Sequence, residues 1–119
     1  MRILVVDDST YIRSTLKTTL EENGHEVVGL AKDGESAIDL AMELVPDVIT
    51  LDNILPDMTG IDVLKVLKRN ELTSKIIMIS AVGQQSSIVE GLSNGAIDYL
   101  VKPFDNGQLI GIISKLKSG

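Results

Sequence analysis

Hydrophobic positions fall into two alternating kinds of stretch, short continuous apolar runs and longer segments whose apolar residues recur every three or four positions. A continuous run is what a strand buried on both faces of a sheet requires, and recurrence at i, i+3 and i+4 marks a helix with one stripe on the core. The runs are residues 2–6, 25–31, 47–51, 75–80 and 98–101. Between and after them lie Ile12, Leu16 and Leu20, then Ala37, Ala41 and Leu44, then Ile61, Leu64 and Leu67. Ile88, Val89 and Leu92 mark a fourth helix over residues 86–94, and Leu109, Ile112, Ile113 and Leu116 a last one.

The boundaries carry their own signals. Gly24 and Gly95 stand where helices stop, Asp33 can cap the second helix, Pro46 ends it, and Gly60 frees a turn before the third. Gly29 interrupts the second run, which makes it the weaker strand and places it nearer an edge. Strict alternation of strand and helix predicts right-handed crossovers and a five-stranded parallel sheet covered on both faces, a three-layer α/β/α sandwich. Periodicity leaves the strand order open.

In such a sheet ligands sit outside the carboxyl ends of the strands, so the residues that close the runs are the candidate chemistry. Val48 to Leu51 delivers Asp52, after which the loop holding Pro56 turns away. The other runs end in Asp7-Asp8, Ser80 and Lys102. Three carboxylates in one crevice repel, each pair by about 3 kcal/mol at about 5 Å and an effective dielectric near 20. One divalent cation plus the Lys102 ammonium balances them, and carboxylates without His or Cys select Mg²⁺. That ion commonly works on phosphoryl groups. The expected chemistry is phosphoryl transfer with Asp52 as nucleophile, while Lys102, the Ser80 hydroxyl and backbone N–H groups neutralise the transferred oxygens.

Composition narrows the alternatives. With 119 residues and 44% apolar content the chain fits one domain, residues 1–119. A net charge of −6 argues against binding nucleic acid, and the absence of cysteine excludes disulfides and thiolate catalysis. The first apolar run is too short and too soon charged for a signal peptide or a membrane span, so the expectation is a soluble cytoplasmic protein with no membrane partner. His25, the one histidine, begins an outer strand and reads as a surface residue. A Ser-His-Asp hydrolase lacks its base near Ser80, and nucleotide binding lacks G-x-G-x-x-G or phosphate-loop spacing.

Asp7-Asp8, Asp52 with Pro56 and Gly60, Ser80-Ala81 and Lys102-Pro103-Phe104 together resemble the CheY-like receiver domains of two-component signalling, over essentially the whole chain. The resemblance implies a flavodoxin-like sheet of order 2-1-3-4-5 and a response regulator rather than an enzyme. It implies that Asp52 accepts the phosphoryl group and that Mg²⁺ is held by Asp52, by Asp8 directly, by Asp7 through water and by the Ile54 carbonyl. Ser80 and Lys102 then contact the phosphoryl group, Tyr99 is the switch aromatic coupled to Ser80, and Lys102-Pro103 is cis. Leu55 replaces a commoner Met and Ser80 a commoner Thr; both keep the relevant volume or hydroxyl.

The implied partners are a sensor histidine kinase or a small acyl phosphate as donor, and an output protein. The output is a flagellar-motor switch, by the likeness of residues 80–85 to chemotaxis CheY proteins, or a phosphorelay component. The face that reports phosphorylation is the fourth helix, the fifth strand and the last helix, with Tyr99, Lys102 and the region of Asn106. Apolar Ile54 and Val82 flank the phosphoryl approach and predict slow self-dephosphorylation, hence a phosphatase partner. Two alternatives stand beside this. Haloacid-dehalogenase-type phosphohydrolases also use an aspartate nucleophile but need Asp-x-Asp, where this chain has Asp7-Asp8-Ser9. A receiver within a longer regulator is the other, although the last helix runs to residues 117–119 with no linker beyond.

Overall fold

The computed structural model describes residues 1–118, and the expected end of the chain at Gly119 lies outside them. Strands and helices alternate as β1 (Arg2–Val6), α1 (Thr10–Glu22), β2 (Glu26–Ala31), α2 (Gly34–Leu44) and β3 (Val48–Leu51). They continue as α3 (Gly60–Arg69), β4 (Lys75–Ser80), α4 (Gln85–Ser93), β5 (Asp98–Val101) and α5 (Asn106–Ser118). Every pairing is parallel, in the order β2-β1-β3-β4-β5. Val6 pairs with Leu51, so β1 and β3 end level at the point where the chain's winding reverses, and that brings Asp7 beside Asp52.

Alternate residues of each strand supply two cores. Leu4, Val6, Ile49, Leu51, Ile76 and Met78 pack with α2 and α3 on one face, while Ile3, Val5, Val48, Ile77 and Ile79 pack with α1 and α5 on the other. Continuous apolar runs were needed because both faces are covered. Ser9, Asp33 and Thr59 cap α1, α2 and α3 by accepting from the N–H groups of Ile12, Ser36 and Asp62.

The departures from expectation are local. Strand β2 is an edge strand, as expected, but its register slips between Ile3, opposite Val27, and Leu4, opposite Gly29. A Cβ on Gly29 would come within 3.1 Å of Leu4 and Leu44 side chains, so the glycine admits them. Helix α2 ends before Pro46 as expected, but on Val45 in the left-handed region at φ 44°, with the Arg2 guanidinium donating to the Leu44 and Val45 carbonyls at 2.9 and 3.1 Å. Helix α4 starts one residue earlier than expected, and Val89 and Leu92 are 50% and 44% exposed. It seats through Gly91, where a Cβ would stand 3.2 Å from the Tyr99 ring.

His25 is corrected: it is buried, at 9% exposure. The chain start runs along β2, with Glu26 N–H donating to the Met1 carbonyl, and the terminal ammonium lies 3.2 Å from His25 Nδ1. Burial first, then the terminal ammonium and Lys117, lower the imidazole pKa below 6.5. The unfolded chain therefore binds this proton more readily than the folded one. The His25 contribution to stability is complete above pH 6.5 and is lost as pH falls towards the folded value. Urea unfolding at about pH 7.5 and about pH 5 should show stability falling with acid, and His25→Gln should flatten that part of the profile.

Candidate functional site

The level ends of β1 and β3 and the following turn bring Asp7, Asp8 and Asp52 together, with ligand-capable oxygens within 4.8 Å of one another. Lys102 follows β5 and bridges two of them, its Nζ 2.6 Å from Asp7 Oδ2 and 3.1 Å from Asp52 Oδ2. Burial alone would lower the Lys102 pKa, but the Asp7 hydrogen bond and the Asp52 charge outweigh it and raise it, so the group is an ammonium. Burial pushes Asp7 up, against the opposing pull of Lys102 and the Ser9 N–H.

The three carboxylates are not equivalent. Both Asp7 oxygens are engaged, Oδ1 by Ser9 N–H at 2.9 Å and Oδ2 by Lys102, whereas Asp8 is exposed to solvent. This division suits an outer and a direct cation ligand. Asp52 accepts from Ile54 N–H through Oδ1 at 3.1 Å and from Lys102 through Oδ2. A donor set of carboxylate oxygens with no imidazole or thiolate beside it fits Mg²⁺.

Ser80 closes β4 fully buried, and its Oγ accepts from Val82 N–H at 3.2 Å. Tyr99 lies inward, its hydroxyl donating to the Val82 carbonyl at 2.5 Å, and burial raises its pKa. Its ring packs with the core beneath α3 and α4. Ser80 and Tyr99 thus converge on one short segment, Ala81-Val82. Lys102-Pro103 is cis, as the resemblance implied.

The sequence reading passed over three residues. Arg13 donates to the Asp7 carbonyl at 2.6 Å and to Thr10 Oγ1 at 3.2 Å. Asn53 accepts from Ile61 N–H through Oδ1 at 3.1 Å, and Asp57 reaches α2. Only Arg13 left a signal, a polar residue one turn into a helix that starts at the rim.

A family model described as "Response regulator receiver domain" matches residues 3–114. The chain belongs to this receiver family. It is 41% identical over 114 residues to the chemotaxis protein CheY of Bacillus subtilis, covering 96% of this chain and 95% of that one. It is 38% identical over 115 residues to CheY of Thermotoga maritima, covering 97% and 96%. Among solved structures it is similar to the CheX-CheY-BeF3-Mg²⁺ complex of Borrelia burgdorferi, with a TM-score of 0.91 at 28% identity, covering 98% of this chain and 88% of that one. The receiver fold and the strand order 2-1-3-4-5 stand as the resemblance implied. No helix among the described residues is long and apolar enough to cross a membrane.

Proposed function

We propose that residues 1–119 form one receiver domain that accepts a phosphoryl group on Asp52 and passes the signal to a partner protein in chemotaxis. The carrying observation is the half-buried Lys102 bridge between buried Asp7 and Asp52, beside exposed Asp8. Asp8, Asp52 and the Ile54 carbonyl would hold Mg²⁺, with Asp7 acting through water, and the ion would supply charge that neutralises phosphoryl oxygens. An Asp52 carboxylate oxygen forms a bond to phosphorus as the bond to the donor's imidazole nitrogen or acyl oxygen breaks. The donor fragment leaves with that electron pair, and an acyl phosphate remains on Asp52. Lys102 and the Ser80 hydroxyl balance its charge, so the receiver assists its own chemistry without being a turnover enzyme.

Phosphate favours the state with Ser80 drawn towards it and Tyr99 inward, and the partner selects that state by differential affinity. Exposed Val89 and Leu92 on α4 and Val101 on β5 give this face apolar side chains for the contact. The donor is a sensor histidine kinase, and the output a flagellar-motor switch or a phosphorelay component in a cytoplasmic pathway. Apolar Ile54 and Val82 leave an attacking water without an orienting side chain, so the acyl phosphate is long-lived and calls for a phosphatase.

Incubation with acetyl phosphate and Mg²⁺, followed by intact mass over time, tests this. The result expected is a single phosphate adduct, absent in Asp52→Asn and without Mg²⁺, that decays slowly after the donor is removed. An adduct retained by Asp52→Asn would refute the assignment, and many phosphates released per chain would favour the phosphohydrolase.

A further inference from the structure

The loop between β3 and α3 supplies Ile54, whose side chain is 54% exposed and so is held little by packing. Leu55 after it is buried in the core, and hydrogen bonds fix the rest of the loop backbone. At the base of the loop, Gly60 N–H donates to the Asn53 carbonyl at 2.8 Å, and Ile54 forms an antiparallel bridge with Thr59. The tip is tied elsewhere. Asp57 crosses to the start of α2, where its Oδ1 accepts from Gly34 N–H at 2.7 Å and its Oδ2 from Glu35 N–H at 3.0 Å.

Two carboxylates thus divide the open N–H groups of that helix. Its own cap, Asp33, takes Ser36 N–H at 2.9 Å through its side chain and Ala37 N–H at 3.1 Å through its carbonyl. The first two donors are left for a carboxylate from the loop, where the helix dipole favours negative charge. Those N–H bonds hold the Asp57 pKa below 3.8, so the clasp is ionic near neutral pH. Met58 completes it: a Cβ at Gly34 would stand 2.3 Å from Met58 Cγ and 2.6 Å from Sδ, so a larger residue there would make the Met58 side chain turn away. Helix α2 is a firm anchor, since Ala37 and Ala41 are buried against the sheet.

We propose that Asp57 is a positioning residue for the cation site, its clasp on the α2 N-terminus holding the Ile54 carbonyl in place beside Asp8 and Asp52. The inference rests on the reading of Ile54 as a Mg²⁺ ligand given above. Releasing the tip leaves the loop held at its base and by Leu55, which is buried in the core, so the neighbouring carbonyl samples more positions and the cation binds more weakly. The acceptor chemistry itself is untouched.

Mg²⁺ titration by calorimetry on the whole chain, with amide NMR following Asp8 and Asp52, separates this role from plain helix capping. Asp57→Ala should weaken Mg²⁺ binding by about threefold to tenfold, below the range for a residue bonded directly to a ligand. Asp57→Asn keeps one acceptor oxygen and should recover part of the loss. Asp33→Ala removes the other cap of the same helix, so it should lower the thermal midpoint yet leave Mg²⁺ affinity at the wild-type value. Wild-type affinity in Asp57→Ala, or equal weakening in Asp33→Ala, would overturn the positioning role alone. A wild-type chain that binds no Mg²⁺ would overturn the reading beneath it as well.

Discussion

Lys102→Met is expected to slow phosphorylation of Asp52 by acetyl phosphate about a hundredfold or more, the effect of removing one preorganised donor from developing oxyanion charge. Methionine keeps most of the side-chain length and loses the ammonium. In the folded receiver that ammonium touches both Asp7 and Asp52, and its side chain is only 19% exposed, so water compensates poorly for its removal. Breaking a fully buried pair by deleting one partner costs about 3–5 kcal/mol; this ammonium is part-exposed, so the loss is smaller, although two carboxylates lose their partner. Stability at neutral pH should fall accordingly and recover in part with added Mg²⁺, which replaces the missing charge. The two effects are measured separately, by urea unfolding with and without Mg²⁺ and by the initial rate of adduct formation at saturating Mg²⁺. A folded Lys102→Met chain that is labelled at the wild-type rate would remove Lys102 from the chemistry.

What could be read from the sequence follows a physical division. Buried strands and striped helices announce themselves because burial imposes a period, and the five strands and the fourth helix lie within about one residue of the expected bounds. Asp7, Asp8, Asp52, Ser80 and Lys102 were legible for the same reason, since each closes an apolar run and parallel strands align their ends. Strand order is set by crossovers between distant segments and came only through the family resemblance. Contacts that depend on one loop meeting another leave no period at all. Asp57 looks like any polar turn residue after a proline, and nothing near it names α2 as its partner. His25 failed for a related reason, because what buries it is the chain terminus lying alongside β2. Gly91 lets α4 approach the Tyr99 ring, again a contact that leaves no period. Val89 and Leu92 fit a helical repeat, yet they face outward, because a repeat shows that a helix has an apolar stripe without showing what covers it.

Gly60 was legible as a turn residue, but the structure gives it a different task, and this sets the second large expected effect. Its role is close approach, not an unusual backbone angle. A Cβ there would stand 2.2 Å from the Asp52 carbonyl oxygen and 2.9 Å from Asn53 Cα, both backbone atoms. Flexible side chains relieve such an overlap by rotating; this backbone is held from several directions. Asp52 N–H donates to the Val6 carbonyl at 3.0 Å, Gly60 N–H to the Asn53 carbonyl at 2.8 Å, and Ile61 N–H to Asn53 Oδ1 at 3.1 Å. Relief therefore means moving α3 off the strand end or pulling Asp52 away from the end of β3. Side-chain overpacking typically costs 1–3 kcal/mol, so Gly60→Ala should cost about 3 kcal/mol or more and reduce Asp52 labelling in whatever fraction stays folded. Gly111 supplies the contrast, since it lies within α5 with nothing within 4 Å of an added Cβ. There alanine should be neutral or stabilise by up to about 1 kcal/mol through helix propensity, with labelling unchanged. Urea unfolding of both variants checks the pair. If Gly60→Ala lay within about 1 kcal/mol of wild type, the limit for an ordinary surface change being roughly half that, α3 would not dock against the Asp52 carbonyl as closely as the geometry requires.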